Sequence, residues 1–272
     1  MSSNVSMIKK IFNKLSYEPV LESDSSVKSW INSHNNGHLT PFINGQFLAE
    51  KETDQLFQVK NPYNNDLLAQ CVNADKSILK LAIDSALEAK SKWTSMSYTD
   101  RGRIIYNMAR NVQKHLQLLT ACESLQTGRT SREIKDCDIA ALIRTLYYYS
   151  GGVVNANELM ESYEPIGVVA IIGHFDSPLL SMIGKLAAAL VTGNTCLLVP
   201  NSLSPLSCYM FIDLCVQSGL PNGCVNLVVS DNDEILKFIS TDPRIDCVTF
   251  DGNLTVNYLI LIFFVILIYN NF

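Results

Sequence analysis

Residues Glu164 to Pro200 read EPIGVVAIIGHFDSPLLSMIGKLAAALVTGNTCLLVP. Ile166 to Ile172 is a short apolar run rich in β-branched residues, bounded by Pro165 and Gly173. That pattern predicts a strand buried on both faces. Pro178 suits the first turn of a helix, where its missing N–H costs nothing. The run from Leu179 to Val191 is apolar nearly all round, and Gly193-Asn194 is a left-handed stop signal. Thr195 to Val199 predicts a second strand. A strand–helix–strand unit of this kind calls for a parallel sheet with a right-handed crossover. Ligands in such sheets bind at the carboxyl ends of the strands, which places any chemistry at Gly173–Ser177 and Val199–Ser202.

The alternation continues downstream. Pro205–Ser218 predicts a helix closed by Gly219-Leu220-Pro221, Val225–Val229 a strand, Asp233–Ser240 a short helix and Asp246–Phe250 a strand. The fold class expected is α/β, a partial doubly wound, Rossmann-like parallel sheet. Upstream, residues 1–40 are polar, with helical hints at Ile8–Leu15 and Val27–Ile31. Phe42–Phe47 predicts a hairpin around Asn44-Gly45. Leu56–Val59 and Leu67–Val72 predict a strand pair around Asn61-Pro62. From Asp75 the period becomes helical, with Ile78, Leu79, Ala82, Ala86 and Ala89 on one face. A second helix is expected to start near the cap Thr99-Asp100 and to carry Ile104, Ile105, Met108 and Val112. Leu116 to Gly128 and Ser131 to Tyr149 complete a predicted helical layer ahead of the sheet.

With 47% hydrophobic and 17% charged residues the composition is ordinarily globular. A net charge of -5 and a pI near 5.4 exclude a phosphate-neutralising nucleic-acid surface. No two of the eight cysteines (Cys71, Cys122, Cys137, Cys196, Cys208, Cys215, Cys224, Cys247) are spaced Cys-x-x-Cys, and several lie in apolar patterns, so they read as buried free thiols. The histidines are scattered, and His34 and His38 lie in a polar, Gly-containing stretch, so no metal site is expected. The opening MSSNVSMIKKIF has no long apolar core and is no secretory signal, which points to the cytoplasm. The ending LTVNYLILIFFVILIYNNF breaks the pattern. Its uninterrupted run Tyr258–Tyr269 is shorter than the roughly twenty residues that span a bilayer. Three readings compete: a non-native end, a buried or edge strand, and a membrane attachment.

From about Phe42 to Gly252 the chain resembles the N-terminal half of the NAD(P)-dependent aldehyde dehydrogenases. Asn61-Pro62, Glu123–Gly128 (ESLQTG) and Leu146–Tyr149 match landmarks of the family's helical layer. Glu164–Pro200 runs without a gap along the family's Glu-Pro-x-Gly-Val … Trp-Asn-Phe-Pro … Gly-Asn-Thr … Lys-Pro line. Pro221-Asn222-Gly223 with Asn226 is similar to Pro-x-Gly-x-x-Asn, and Phe250–Asn253 falls on Phe-Thr-Gly-Ser. The opening around Tyr17–Ser23 resembles the family-16 branch. The resemblance divides the chain into a polar extension (1–40), an incomplete aldehyde dehydrogenase N-terminal domain (41–252) and an apolar tail outside the family (253–272).

In such enzymes a cysteine attacks the aldehyde, the asparagine of Trp-Asn-Phe-Pro helps to hold the oxyanion, hydride leaves to nicotinamide, and a glutamate activates water. The resemblance implies NAD or NADP at Ile172, Gly173, Phe175, Val199, Ser202, Gly252 and Asn253, and an aldehyde as substrate. This chain departs from the pattern. Asp176 stands at the oxyanion asparagine, and an ionised carboxylate accepts hydrogen bonds where an amide donates. Asp176 would donate only if kept protonated in an apolar site. Phe175 replaces tryptophan, and His174 precedes it as either a solvated histidine or an acid/base group. Val199 and Ser202 replace the ribose-binding lysine and glutamate, and Ser230-Asp231-Asn232 replaces Gly-x-Gly. Asp251 and Asn253 replace the hydroxyl residues. The nucleophilic cysteine and general-base glutamate fall beyond Gly252. The expectation is a truncated chain without activity of its own. The alternative is a pseudoenzyme module that binds a protein partner or a second copy, or is membrane-associated through residues 258–269.

Overall fold

The structure, a computed structural model, describes residues 24–34, 37–51, 55–152 and 164–250. Helix α1 (Asp24–Ser33) buries Val27 and Ile31, four apart on one face, in the main core. The stretch read as a polar extension therefore packs with the rest from Asp24 onward. Strand β1 (His38–Leu39) is followed by the predicted hairpin, β2 (Phe42–Ile43) and β3 (Gln46–Phe47). Asn44 and Gly45 both take positive φ, 53° and 83°, the backbone of a two-residue turn that matches strand twist. Strands β4 (Leu56–Lys60) and β5 (Leu67–Val72) pair antiparallel, and β1 joins β5 in parallel to make a three-stranded sheet.

Helix α2 (Lys76–Ser95) starts where the Asp75 carboxylate accepts from Ser77 N at 2.9 Å and Ile78 N at 2.8 Å. Helix α3 (Tyr98–Lys114) is capped by Ser97, ahead of the Thr99-Asp100 start that the sequence suggests. Asp100 is the third residue of the helix instead: its N–H donates to Ser97 Oγ at 3.1 Å, and its carboxylate accepts from that hydroxyl at 2.7 Å. This mutual Ser97–Asp100 contact hides the true start. Helix α4 (Leu116–Thr127) ends at Gly128, φ 74°. The long helix expected from Ser131 is three consecutive pieces, α5 (Ser131–Glu133), a π-helical stretch (Ile134–Ile139) and α6 (Ala140–Gly151). Then come β6 (Val168–Ile172), α7 (Pro178–Val191), β7 (Thr195–Val199), α8 (Leu206–Gln217), β8 (Val225–Leu227), α9 (Asp233–Thr241) and β9 (Cys247–Phe250). Gly193, φ 91°, ends α7. Its N–H reaches Leu190 O at 3.0 Å and the next N–H, of Asn194, reaches Ala189 O at 3.0 Å, both bonds of a Schellman stop.

The main sheet has six strands in the order β3-β2-β8-β7-β6-β9. Four neighbouring strands, β8, β7, β6 and β9, are parallel, as expected. The hairpin extends their edge, β2 lying antiparallel to β8 with Phe42 opposite Leu227. Side chains alternate between faces. Ala170, Ile172, Leu197, Val199 and Val228 pack under α2 and α9, while Val169, Ile171, Cys196, Leu198 and Leu227 pack against the core that holds α7 and α8. The helices before the sheet therefore do not form one layer. The Leu79, Ala82, Ile83 and Ala86 stripe of α2, all fully buried, covers one face, and the small alanines let that helix approach closely. Helices α3, α4 and α6 build outward from the other face. Among the described residues no helix is long and apolar enough to cross a membrane, and the tail 253–272 lies outside them.

One buried amide joins three of these pieces. Asn226 on β8 is fully buried. Its Oδ1 accepts from Asn44 N at 3.0 Å and from Ser85 Oγ at 3.0 Å, and its Nδ2 donates to Gly223 O at 2.9 Å. It thus ties the hairpin turn and α2 to the central sheet. Asn226→Leu keeps the bulk and strands these partners without a hydrogen bond. The expected loss is about 2 kcal/mol in urea denaturation, since an unsatisfied buried group carries its full desolvation cost.

Candidate functional site

The parallel strands run in the order β8-β7-β6-β9, so the winding reverses at β6. A ligand crevice of a doubly wound sheet lies beyond the carboxyl ends at that reversal. Three described segments border it: 173–177 after β6, 200–204 after β7 and 228–232 after β8. Asp251, Gly252 and Asn253, which follow β9, lie outside the described residues.

In the first segment Gly173 is buried, and its N–H continues the ladder to Val199 O at 3.0 Å. Phe175 is 46% exposed, with its ring 4.3 Å from that of His174. The Phe175 carbonyl accepts from Ser204 Oγ at 2.8 Å, which joins this segment to the one after β7. His174 does not reach a catalytic partner; its Nδ1 accepts from Asp176 N at 3.3 Å. Asp176 is exposed, and its backbone carbonyl accepts from Arg129 Nη1 at 3.2 Å. The apolar enclosure that would make Asp176 a hydrogen-bond donor is absent around it.

Ile172 and Val199 turn their side chains into the core under α2 and α9, 3% and 4% exposed. Ser202 is half-buried in the turn after β7. Neither Val199 nor Ser202 brings a charge to the crevice. After β8 the loop is stitched to the chain that follows β5. Asn73 Oδ1 accepts from Ser230 Oγ at 2.7 Å and from Asp231 N at 3.3 Å, and its Nδ2 donates to Asp231 Oδ1. The N-terminus of α9 is closed by Asn232, whose Oδ1 accepts from Glu234 N at 2.9 Å.

The residues that sequence reasoning missed are inside α4. Glu123 is fully buried, and its Oε1 accepts from Leu179 N, in the first turn of α7, at 3.3 Å. Gln126 is 3% exposed, and its Oε1 accepts from Leu206 N, the first residue of α8, at 2.7 Å. Burial above all pushes the Glu123 carboxyl up to about 7, against the Ser207 hydroxyl and the Leu179 N–H, which favour its charge. A signal exists in the sequence: a glutamate and a glutamine three apart in the apolar helix LLTACESLQ share one face and need buried partners. Arg129 completes this edge. It donates to Asp138 Oδ2 at 2.5 Å, Glu133 Oε1 at 2.7 Å and Ser177 Oγ at 2.7 Å.

An NAD(P) molecule does not fit this donor set in the family's manner. Among the described residues, the starts of α7, α8 and α9 each give an N–H to one of the chain's own oxygen atoms, from Glu123, Gln126 and Asn232, while the segment after β9 lies outside them. Such an end binds an anion through free N–H groups. The acidic Asp231 and Glu234 beside α9 oppose one further. Six of the eight cysteines, Cys71, Cys122, Cys196, Cys208, Cys215 and Cys224, are buried, and burial raises each of their thiols. None of the six is an activated nucleophile.

Residues 47–261 match the Aldehyde dehydrogenase family model, a span that runs past Gly252 into the tail. Aldehyde dehydrogenase B of Escherichia coli K12 is 31% identical over 225 residues, covering 79% of this chain and 44% of that protein. Betaine aldehyde dehydrogenase of Bacillus subtilis 168 is 31% identical over 229 residues, covering 79% and 46%. The chain thus spans about half the length of the curated relatives it matches. The NAD+ complex of an aldehyde dehydrogenase from Bacillus cereus superposes with a TM-score of 0.78 at 28% identity, covering 86% of this chain and 50% of that one. HpcC of Thermus thermophilus gives 0.80 at 23% identity, covering 88% and 48%.

Proposed function

The chain belongs to the aldehyde dehydrogenase family, and from that premise we propose that these 272 residues are a cofactor-side half of the fold that neither holds NAD(P) in the family's way nor oxidises aldehydes by themselves. Their role is that of a non-catalytic aldehyde dehydrogenase module, descended from enzymes that oxidise aldehydes to acids with NAD(P). One observation carries this reading: the positions where the family presents charged and amide groups to the cofactor and the oxyanion hold the buried Val199, Ser202 and the exposed Asp176. Losing two charged hydrogen bonds of roughly 1.5–3 kcal/mol each weakens a dinucleotide by about a hundredfold or more. The acidic loop Asp231–Glu234 adds to that loss.

Calorimetric titration of NAD and of NADP into the purified chain tests this. A cooperative thermal melt of the same sample serves as the check that the protein is folded. The expected result is no saturable heat below about 1 mM nucleotide, and no NADH formation from a panel of aliphatic and aromatic aldehydes. Saturation at micromolar nucleotide, or NADH formation above the blank, overturns the proposal.

A further inference from the structure

Glu123 and Gln126 hold the two helices that follow the crevice segments. Segment 173–177 leads into α7 and segment 200–204 leads toward α8. Glu123 Oε1 accepts from Leu179 N on α7 at 3.3 Å, while Oε2 accepts from Gln126 Nε2 at 3.3 Å. Gln126 Nε2 also donates to Ser207 Oγ at 2.6 Å, and its Oε1 accepts from Leu206 N at 2.7 Å and Ser207 N at 3.4 Å. The orientation of the Gln126 amide is therefore fixed on both sides. Its oxygen must face α8, so its nitrogen must face Glu123.

The other ionisable groups around the carboxyl are few. From the π-helical stretch comes Asp138, and from the turn after α4 comes Arg129, which Asp138 and Glu133 already pair. The thiols of Cys122 on α4 and Cys208 on α8 are fully buried and raised by that burial, so they stay neutral at ordinary pH. Glu123 is the group of this cluster that changes charge near neutrality.

We propose that Glu123 is a proton-controlled pin: ionised, it fastens α7 directly and α8 through Gln126, and on taking a proton at Oε2 it releases Gln126. A proton on the side of Oε2 that faces Gln126 sets O–H against the Gln126 N–H, donor against donor. Gln126 turns to relieve the clash and takes its oxygen off Leu206 N and Ser207 N. The bond from Leu179 N to Oε1 survives, because the carbonyl oxygen of a carboxylic acid still accepts. Lowering the pH therefore frees the start of α8, and with it the turn after β7, but not the start of α7. The inference does not depend on whether the crevice binds a dinucleotide.

Amide hydrogen exchange on the full chain tests it, with rates corrected for the intrinsic effect of pH. The protection factor of Leu206 is expected to fall about tenfold from pH 8 to pH 6, the worth of one buried hydrogen bond, while that of Leu179 stays level. In Glu123→Gln the Leu206 protection is expected to be low and independent of pH. A level Leu206 profile in the native sequence, or the same slope in the variant, overturns the proposal. A second measurement does not require the variant to fold. The carboxyl carbon resonance of Glu123 in the native protein is expected to titrate near neutral pH, and a resonance that stays ionised down to pH 5 overturns the proposal equally.

Discussion

Replacing Arg101 by Met is expected to cost about 3–5 kcal/mol of stability, the largest loss foreseen for any single position of this chain. Arg101 lies on α3 and is 2% exposed, yet no carboxylate faces it among the described residues. Its partners are backbone carbonyls at two helix ends. Nε donates to Val191 O at 3.0 Å, the last residue of α7, and Nη1 donates to Thr94 O at 3.2 Å and to Met96 O at the end of α2. The guanidinium also lies 4.4 Å from the centre of the Tyr98 ring. The last carbonyls of a helix have no partner within it and carry the negative end of its dipole, so one cation satisfies both ends at once. Trp93 Nε1 and Thr94 Oγ1 bind the same junction, reaching Leu190 O and Gly193 O at 3.1 Å each. Methionine fills the space but leaves those carbonyls buried and unpaired, each worth about 1–3 kcal/mol. Chemical denaturation at neutral pH measures the loss. Arg101→Lys is expected to recover little, because a single ammonium cannot fork to both helix ends. A loss below about 1 kcal/mol for Arg101→Met would show that water replaces the side chain.

The elements with strong local signals are legible in the sequence alone. Strand β7 and helix α7 match their expected spans, because Pro178 and Gly193 punctuate them and the intervening residues are mostly apolar. Several features that differ from expectation depend on partners that local pattern does not reveal. Ser97 is hidden as a cap because Asp100 also looks like one, and only their mutual hydrogen bonds assign the roles. Helices α2 and α3 share the same kind of amphipathic stripe, so periodicity does not say that they cover opposite faces of the sheet. Arg101 reads as a surface residue until α7 is brought against it. Glu123 sits in one of the family landmarks, but its function as a helix cap needs Leu179, which lies far along the chain.

The same distinction explains which family residues survive here. Gly128, Gly193, Asn194 and Asn226 are kept, and each has a structural task. Asn194, for example, accepts from Gly167 N at 2.8 Å and donates to Ala189 O at 3.1 Å, which joins the start of β6 to the end of α7. Replacing any of them would leave a buried group unpaired or force a side chain into a left-handed backbone. Asp176 and Ser202 lie in the loops after β6 and β7, whereas Val199 is buried in the core under α2 and α9. Val199 stabilises the core better than a lysine would, because a buried lysine charge is costly.

The pH dependence of stability follows from Glu123 and has the opposite sense to ordinary acid denaturation. Burial is the main reason its carboxyl is raised to about 7 in the folded chain; Asp138 adds to the rise, and Ser207, Leu179 N–H and Arg129 reduce it. In an unfolded chain a glutamate titrates near about 4.3. The folded protein therefore holds this proton more tightly. The stabilisation is complete below about pH 4.3, is lost as pH rises toward 7, and changes no further above that. A gap between about 4.3 and about 7 corresponds to roughly 4 kcal/mol. Asp75 and Asp242 work in the other direction. Backbone and Ser77 hydrogen bonds at Asp75, and Arg244 at Asp242, lower their carboxyls, so their stabilisation is present above the unfolded value and is lost as pH falls through the folded one. Subtracting the stability curve of Glu123→Gln from that of the native sequence removes these shared contributions. The difference is expected to favour the native chain by roughly 3 kcal/mol more at about pH 4.5 than at about pH 8. A level difference would mean that water reaches Glu123 and screens its charge. Because a proton on Glu123 stabilises the whole fold while releasing the start of α8, global stability and Leu206 protection should move in opposite directions with pH. General acid unfolding would lower both together, so the divergence assigns the effect to this carboxyl.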